Sequence, residues 1–144
     1  MRQRAAVVPI LERYQELKRS RDAMDFADQM ALAARIASTV PQVGGAERLR
    51  FRAVLLDEFQ DTSEAQLQLL HALFVAPGEA VPVTAVGDPH QSIYGWRGAS
   101  STTLDRFRDD FADPEPARVL HLSTSWRNDR AVLAAANAVA GPLA

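Results

Sequence analysis

The sequence predicts an α/β fold, a parallel sheet with helices on both faces, and three observations predict it. Short apolar runs end abruptly in acid- or glycine-bearing loops. Segments with apolar residues at helical spacing separate those runs, and turn-forming residues mark the changeovers.

With 144 residues, 47% apolar and 24% charged, the chain has the size and composition of one ordinary domain with a buried core. No apolar run is long enough to span a bilayer and the N-terminus lacks a secretory apolar stretch, so no membrane partner and a cytoplasmic location are expected. The absence of cysteine excludes a disulfide framework, a thiolate zinc site and a thiol nucleophile. His71, His90 and His121 are scattered, which argues against a histidine metal site. A net charge of −2 means that any nucleic-acid binding rests on local contacts and not on a global positive field.

Taken in order, Val7, Val8, Leu11, Tyr14 and Leu17 fall near helical spacing and predict an amphipathic helix over residues 1 to about 20, packed on a neighbour. Asp25 reads as the N-cap of a second helix, with Asp28 in its first turn and Met30, Leu32, Ile36 and Val40 continuing it for about four turns. Pro41-Gln42-Val43-Gly44-Gly45-Ala46 reads as a turn-forming linker. A strand over about Arg52 to Leu56 follows. Ser63 then caps a helix with Leu67, Leu69, Leu70, Leu73 and Phe74 on its apolar side, ending before Pro77-Gly78. A second strand runs from about Pro82 to Val86, a helix from about Ser101 to Phe111, and a third strand from about Arg118 to Leu122. A last Ala-rich helix stops at Gly141-Pro142. Strands alternating with helices imply right-handed crossovers.

The first strand stops at Asp57-Glu58, with Asp61 close behind, and open α/β sheets bind ligands at the C-terminal ends of their strands. A hard cation such as Mg²⁺ takes carboxylate and water oxygens, so Asp57 is suited to hold it beside a nucleotide's phosphates. Glu58 is suited to orient and deprotonate an attacking water. The plain alternative is that Asp57 merely caps the next helix. The second strand runs into Gly87-Asp88-Pro89-His90-Gln91-Ser92-Ile93-Tyr94-Gly95-Trp96-Arg97-Gly98-Ala99, where aromatic and guanidinium groups alternate with small residues.

These two loops closely resemble motifs II and III of superfamily 1 DNA helicases of the UvrD/Rep type. Those patterns are Asp-Glu-aromatic/Ala-Gln-Asp-Thr and Gly-Asp-x-x-Gln-Ser-Ile-Tyr-x-aromatic-Arg-Gly-Ala. Met24-Asp25-Phe26-Ala27-Asp28 resembles the Met-Asp-Phe-x-Asp element after the family's helical insertion 1B, Ala27 departing from the usual Asp. Leu122-Ser123-Thr124-Ser125-Trp126-Arg127-Asn128 resembles motif IV, usually Asn-Tyr-Arg-Ser, with Trp126 in place of Tyr.

The resemblance implies a partial RecA-like (P-loop NTPase) motor. Residues 1–22 would end the 1B-like insertion, 23–122 would form the back half of domain 1A, and 123–144 would begin domain 2A. ATP and Mg²⁺ are the implied cofactors. Asp57 corresponds to the magnesium-associated acid, Glu58 to the residue that activates water, and Gln91 to the glutamine between the γ-phosphate and the DNA path. Arg127 corresponds to an arginine finger, and Trp126 to the aromatic residue that packs on the nucleotide base. Trp96, Arg97 and Tyr94 would face single-stranded DNA, although Tyr94 also suits a core. The implied partners are single-stranded DNA, its junctions with duplex, and remaining helicase domains in the same chain. The implied activity is 3′-to-5′ translocation in DNA repair or recombination.

The Gly-x-x-x-x-Gly-Lys-Ser/Thr loop that cradles phosphates does not occur, and Lys18, the single lysine, has no glycine near it. The expectation is therefore a piece of a helicase, inactive alone, with sheet surface left uncovered. Two other readings remain. One is a metal-dependent nuclease using Asp57, Glu58, Asp61 and Asp88. The other is a non-catalytic binding remnant that keeps the Trp96 loop.

Overall fold

The computed structural model describes residues 2–76, 79–97, 102–112 and 115–141. The elements are helices α1 (Arg2–Ser20), α2 (Phe26–Thr39) and α3 (Pro41–Arg50), strand β1 (Val54–Leu56), helix α4 (Glu64–Phe74), strand β2 (Val83–Ala85), and helices α5 (Thr103–Asp110) and α6 (Arg130–Ala140). Single turns of 3-10 helix lie at Phe59–Asp61, Pro89–Gln91 and Gly95–Arg97.

β1 and β2 pair in parallel with Val54 opposite Val83, Leu55 opposite Thr84 and Leu56 opposite Ala85, so β1–α4–β2 is one crossover unit. Because side chains alternate along a strand, Val54, Leu56, Val83 and Ala85 share one face. That face meets a core of Phe59, Leu67, Phe107 and Phe111. Phe107 stacks on Phe111 at 4.6 Å, and Phe59 meets Phe107 edge-on at 5.1 Å, an arrangement that favours the ring quadrupoles.

The opposite face does not match the expectation of helices on both sides. Leu55 is 80% exposed and Thr84 is also exposed, because no described helix lies over them. The expected third strand over 118–122 is likewise not formed. Among the described residues the sheet has only β1 and β2, and Arg118 to Leu122 is exposed chain. Just before it, Ala117 packs against the core and its N–H donates to the Arg108 carbonyl at 3.0 Å.

The linker reading of residues 41–46 also fails, since they open α3. Pro41 occupies the first helical position, where its fixed φ is preorganised and its missing N–H costs nothing. Val40, expected inside α2, is the joint between the two helices. Gly44 is buried because α3 packs closely on α4. A Cβ there would lie 2.8 Å from the Ala72 carbonyl oxygen and 2.7 Å from Arg48 Nη1. Arg48 closes the same contact by donating to the Leu73 carbonyl at 2.9 Å.

The amphipathic stripe of α1 is present but not packed, with Val7, Val8, Leu11, Tyr14 and Leu17 all exposed. The helix is held at its C-terminal end instead. Lys18 is buried, donates to Asp25 Oδ2 at 2.8 Å and pairs with Asp28, while Tyr14 Oη donates to Asp25 Oδ2 at 3.0 Å. Asp25 and Asp28 also form the capping box of α2. The Lys18 ammonium, the Asp28 amide and the Tyr14 hydroxyl together hold the Asp25 carboxyl well below the usual carboxylate range. The Asp25 contribution to the joint is therefore fully present at neutral pH and is lost as the pH falls into acid, whereas the Lys18 contribution, its ammonium pKa raised by Asp25 and Asp28, is lost in strong base.

Replacing Gly44 by Ala should separate α3 from α4 at a cost of about 1–3 kcal/mol, since backbone oxygen cannot move aside as a side chain can. Faster amide exchange across both helices is the expected readout, and unchanged protection would refute the close-packing account.

Candidate functional site

The site forms where the chain leaves the two strands side by side. Beyond Leu56 the chain turns sharply at Glu58, which sits in the left-handed region at φ 52°, ψ 38°. For a residue with a side chain this conformation costs of order 1–3 kcal/mol and persists only where the surroundings enforce it. Two contacts do so here: Asp57 Oδ1 accepts from the Glu58 N–H at 3.0 Å, and the Phe59 N–H donates to the Val86 carbonyl at 3.0 Å. Phe59 is thereby driven into the core, while Asp57 and Glu58 stay exposed at the strand end.

The decisive residue is Gln60, only 1% exposed. Its Nε2 donates to Glu58 Oε2 at 2.6 Å and its Oε1 accepts from the Asp88 N–H at 3.1 Å. Its backbone carbonyl accepts from Ser92 Oγ at 3.3 Å. The amide orientation follows from chemistry, because an ionised carboxylate only accepts and a backbone N–H only donates. Gly87 permits this approach, as a Cβ there would lie 2.5 Å from Gln60 Oε1.

On the second loop, Asp88 accepts from the His90 N–H at 2.9 Å and from Gln91 Nε2 at 2.8 Å. The Gln91 amide and the His90 N–H hold the Asp88 carboxyl below its ordinary value, against a burial effect that raises it. The structure therefore joins Glu58, Gln60, Asp88 and Gln91 in one continuous hydrogen-bonded chain, with Asp57 beside it. Asp57 leaves one carboxylate oxygen without a protein hydrogen bond among the described residues. A single exposed carboxylate of this kind fits Mg²⁺, which keeps most of its waters and takes one or two protein oxygens.

Tyr94 is partly buried and lies 6.3 Å from Trp96, which is 80% exposed. Arg97 closes the same turn, and its side chain lies outside the described residues. Trp126, 93% exposed, and Arg127 sit in the bend before α6, and no hydrogen bond or ion pair among the described residues links either to the Glu58–Gln91 chain. The four acids proposed for a nuclease do not assemble. Among the described residues no three acids or histidines are placed to hold a metal, and Asp61 Oδ1 is buried without a hydrogen-bond partner.

Sequence reasoning missed Gln60 and Gly87. Both lay inside quoted motifs, but nothing local marks a glutamine in an acidic loop as buried. Asp88, weighed only as a metal acid, is a hydrogen-bond acceptor for its own loop.

The family model for the UvrD/REP helicase N-terminal domain matches residues 1–112. This chain belongs to the UvrD/REP helicase family. It is 36% identical over 141 residues to ATP-dependent DNA helicase UvrD1 of Mycobacterium tuberculosis, covering 93% of this chain and 18% of that protein. It is 36% identical over 130 residues to DNA helicase II of Escherichia coli, covering 90% of this chain and 17% of that protein. Against ATP-dependent DNA helicase PcrA of Leuconostoc citreum it is 34% identical over 134 residues, covering 92% and 17%. The chain thus spans under a fifth of the length of these UvrD/REP relatives. Among the described residues no helix is long and apolar enough to cross a membrane.

Gly87→Ala should push Gln60 aside and open the Asp88 N–H···Gln60 Oε1 contact. Amide exchange at Asp88 is expected to rise by about tenfold or more, and an unchanged rate would show that the loops are held by something else.

Proposed function

We propose that this chain supplies the water-activating and phosphate-sensing part of an ATP-dependent DNA helicase motor, acting with further domains in a longer protein. The observation that carries the reading is the hydrogen-bonded chain from Glu58 through Gln60 and Asp88 to Gln91 at the ends of two parallel strands. Ligands of open α/β sheets bind at such strand ends. The relatives named as ATP-dependent DNA helicases support the reading.

Each residue has a role that its chemistry suits. Glu58 accepts a proton from the water that attacks the γ-phosphate of ATP. Asp57 would hold Mg²⁺, which would supply positive charge against the phosphate oxygens. Gln91, a neutral amide that both donates and accepts, reports whether the γ-phosphate is present without itself titrating. Arg127 serves as the arginine finger and Trp126 packs on the base. Trp96 and Arg97, with Tyr94 behind them, meet single-stranded DNA by stacking and charge, near junctions with duplex. The 1B-like (1–22), 1A (23–122) and 2A (123–144) portions, the 3′-to-5′ direction and a role in repair or recombination form part of this same reading.

The exposed Trp126–Arg127 bend fits a group that docks only when ATP and the rest of the motor are present. It follows that purified 1–144 hydrolyses no ATP, and DNA-stimulated turnover by it would refute this. In a full-length helicase carrying this segment, Glu58→Gln should bind ATP normally while hydrolysis falls by about 100-fold or more. Near-normal turnover would overturn the role given to Glu58. Trp96→Ala should weaken single-stranded DNA binding by about tenfold, whatever the base sequence, because stacking needs only a π-face. Equal affinity in a filter-binding or anisotropy titration would remove Trp96 from the DNA path.

A further inference from the structure

Gln60 is buried to 1% exposure, yet both ends of its amide are used and each end meets a different loop. The Nε2 end restrains the one carboxylate that the mechanism requires to be aimed, at 2.6 Å, a short contact of the charge-assisted kind. The Oε1 end holds the Asp88 N–H, and the Asp88 carboxylate in turn holds Gln91 at 2.8 Å. A rotation of the Gln91 loop therefore pulls on Asp88, and through the Gln60 amide on Glu58. Among the described residues two other hydrogen bonds join the loops, from Ser92 Oγ to the Gln60 carbonyl and from the Phe59 N–H to the Val86 carbonyl, but both end on backbone and neither reaches the Glu58 carboxylate. The Gly87 backbone packs against the Gln60 side-chain amide, and the Ser92 hydroxyl holds the Gln60 backbone carbonyl.

We propose that Gln60 is a positioning residue: its side-chain amide aims the Glu58 carboxylate and couples it to the Gln91 loop, so that water activation follows the state of the phosphate- and DNA-facing loop. This rests on the roles given above to Glu58 and Gln91. Gln60 itself touches neither the reacting phosphate nor the water.

The amide has two separable jobs, and the isosteric Gln60→Glu separates them. A glutamate can still accept from the Asp88 N–H and keep the loops docked, but in its ionised form it cannot donate to Glu58 and repels it. Gln60→Leu removes both contacts while keeping most of the volume. The experiment measures ATP hydrolysis with and without single-stranded DNA, at neutral pH, in a full-length helicase carrying this segment, for wild type, Gln60→Glu, Gln60→Leu and Glu58→Gln.

The expected result is a DNA-stimulated kcat lowered by about tenfold or more in both Gln60 variants, KM for ATP within about threefold, and DNA stimulation largely lost. Binding of a non-hydrolysable ATP analogue should remain, which separates mispositioning from misfolding. If Gln60→Glu turns over like wild type while Glu58→Gln is inactive, Gln60 is only a loop fastener and the proposal is overturned. If KM rises with kcat unchanged, Gln60 serves nucleotide binding and the proposal is again overturned. If Glu58→Gln itself stays active, the functional reading falls, and this inference with it.

Discussion

The arrangement of this molecule depends on a buried amide. Gln60 takes the place that an apolar residue would ordinarily fill beneath two loops, and burying an amide is tolerable only when its donors and acceptors are met. It is satisfied by Glu58 on one side and the Asp88 N–H on the other, so the loops cannot separate without stranding it. The close approach of Gly87, the left-handed turn at Glu58 and the inward drive of Phe59 are all conditions for that one contact. What looks locally like an acid-rich surface loop is therefore tied to the core through Phe59 and Gln60.

The same constraint explains why so small a sheet suffices to order the site. β1 and β2 are short, and only one face of the pair is covered. Strand length is not what aligns Glu58 with Gln91. The parallel register brings the two strand ends level, and the buried aromatic cluster of Phe59, Phe107 and Phe111 braces the first loop from below. The apolar side chain of Leu55, by contrast, faces solvent.

The ends of the chain are built on different physics from its middle. α1 is fastened by the Lys18–Asp25–Asp28–Tyr14 cluster at one end and not by its apolar stripe, so its direction is set by charge and hydrogen bonding. Residues 118–129 and α6 bury almost nothing in this chain. In the order β1–α4–β2–α5 the helices alternate with strands and find a sheet face to cover, whereas residues 118–122 after α5 join no strand among the described residues.

The sequence by itself determined the elements whose cause is local. Asp25 and Ser63 cap the helices they were expected to cap, and the apolar runs ending at Asp57 and Gly87 are the strands. The motif residues carried the family. Local patterning misled at Pro41–Ala46, where Gly and Pro spelled a turn but packing on α4 makes a helix, and at Arg118–Leu122, where an apolar run pairs with neither β1 nor β2. Only the tertiary structure decided that Gln60 is buried, that Asp88 accepts hydrogen bonds from its own loop, and that Lys18 is a structural anchor. The reason is that burial and partnership of a polar side chain depend on what another part of the chain brings to it. No period or propensity encodes that.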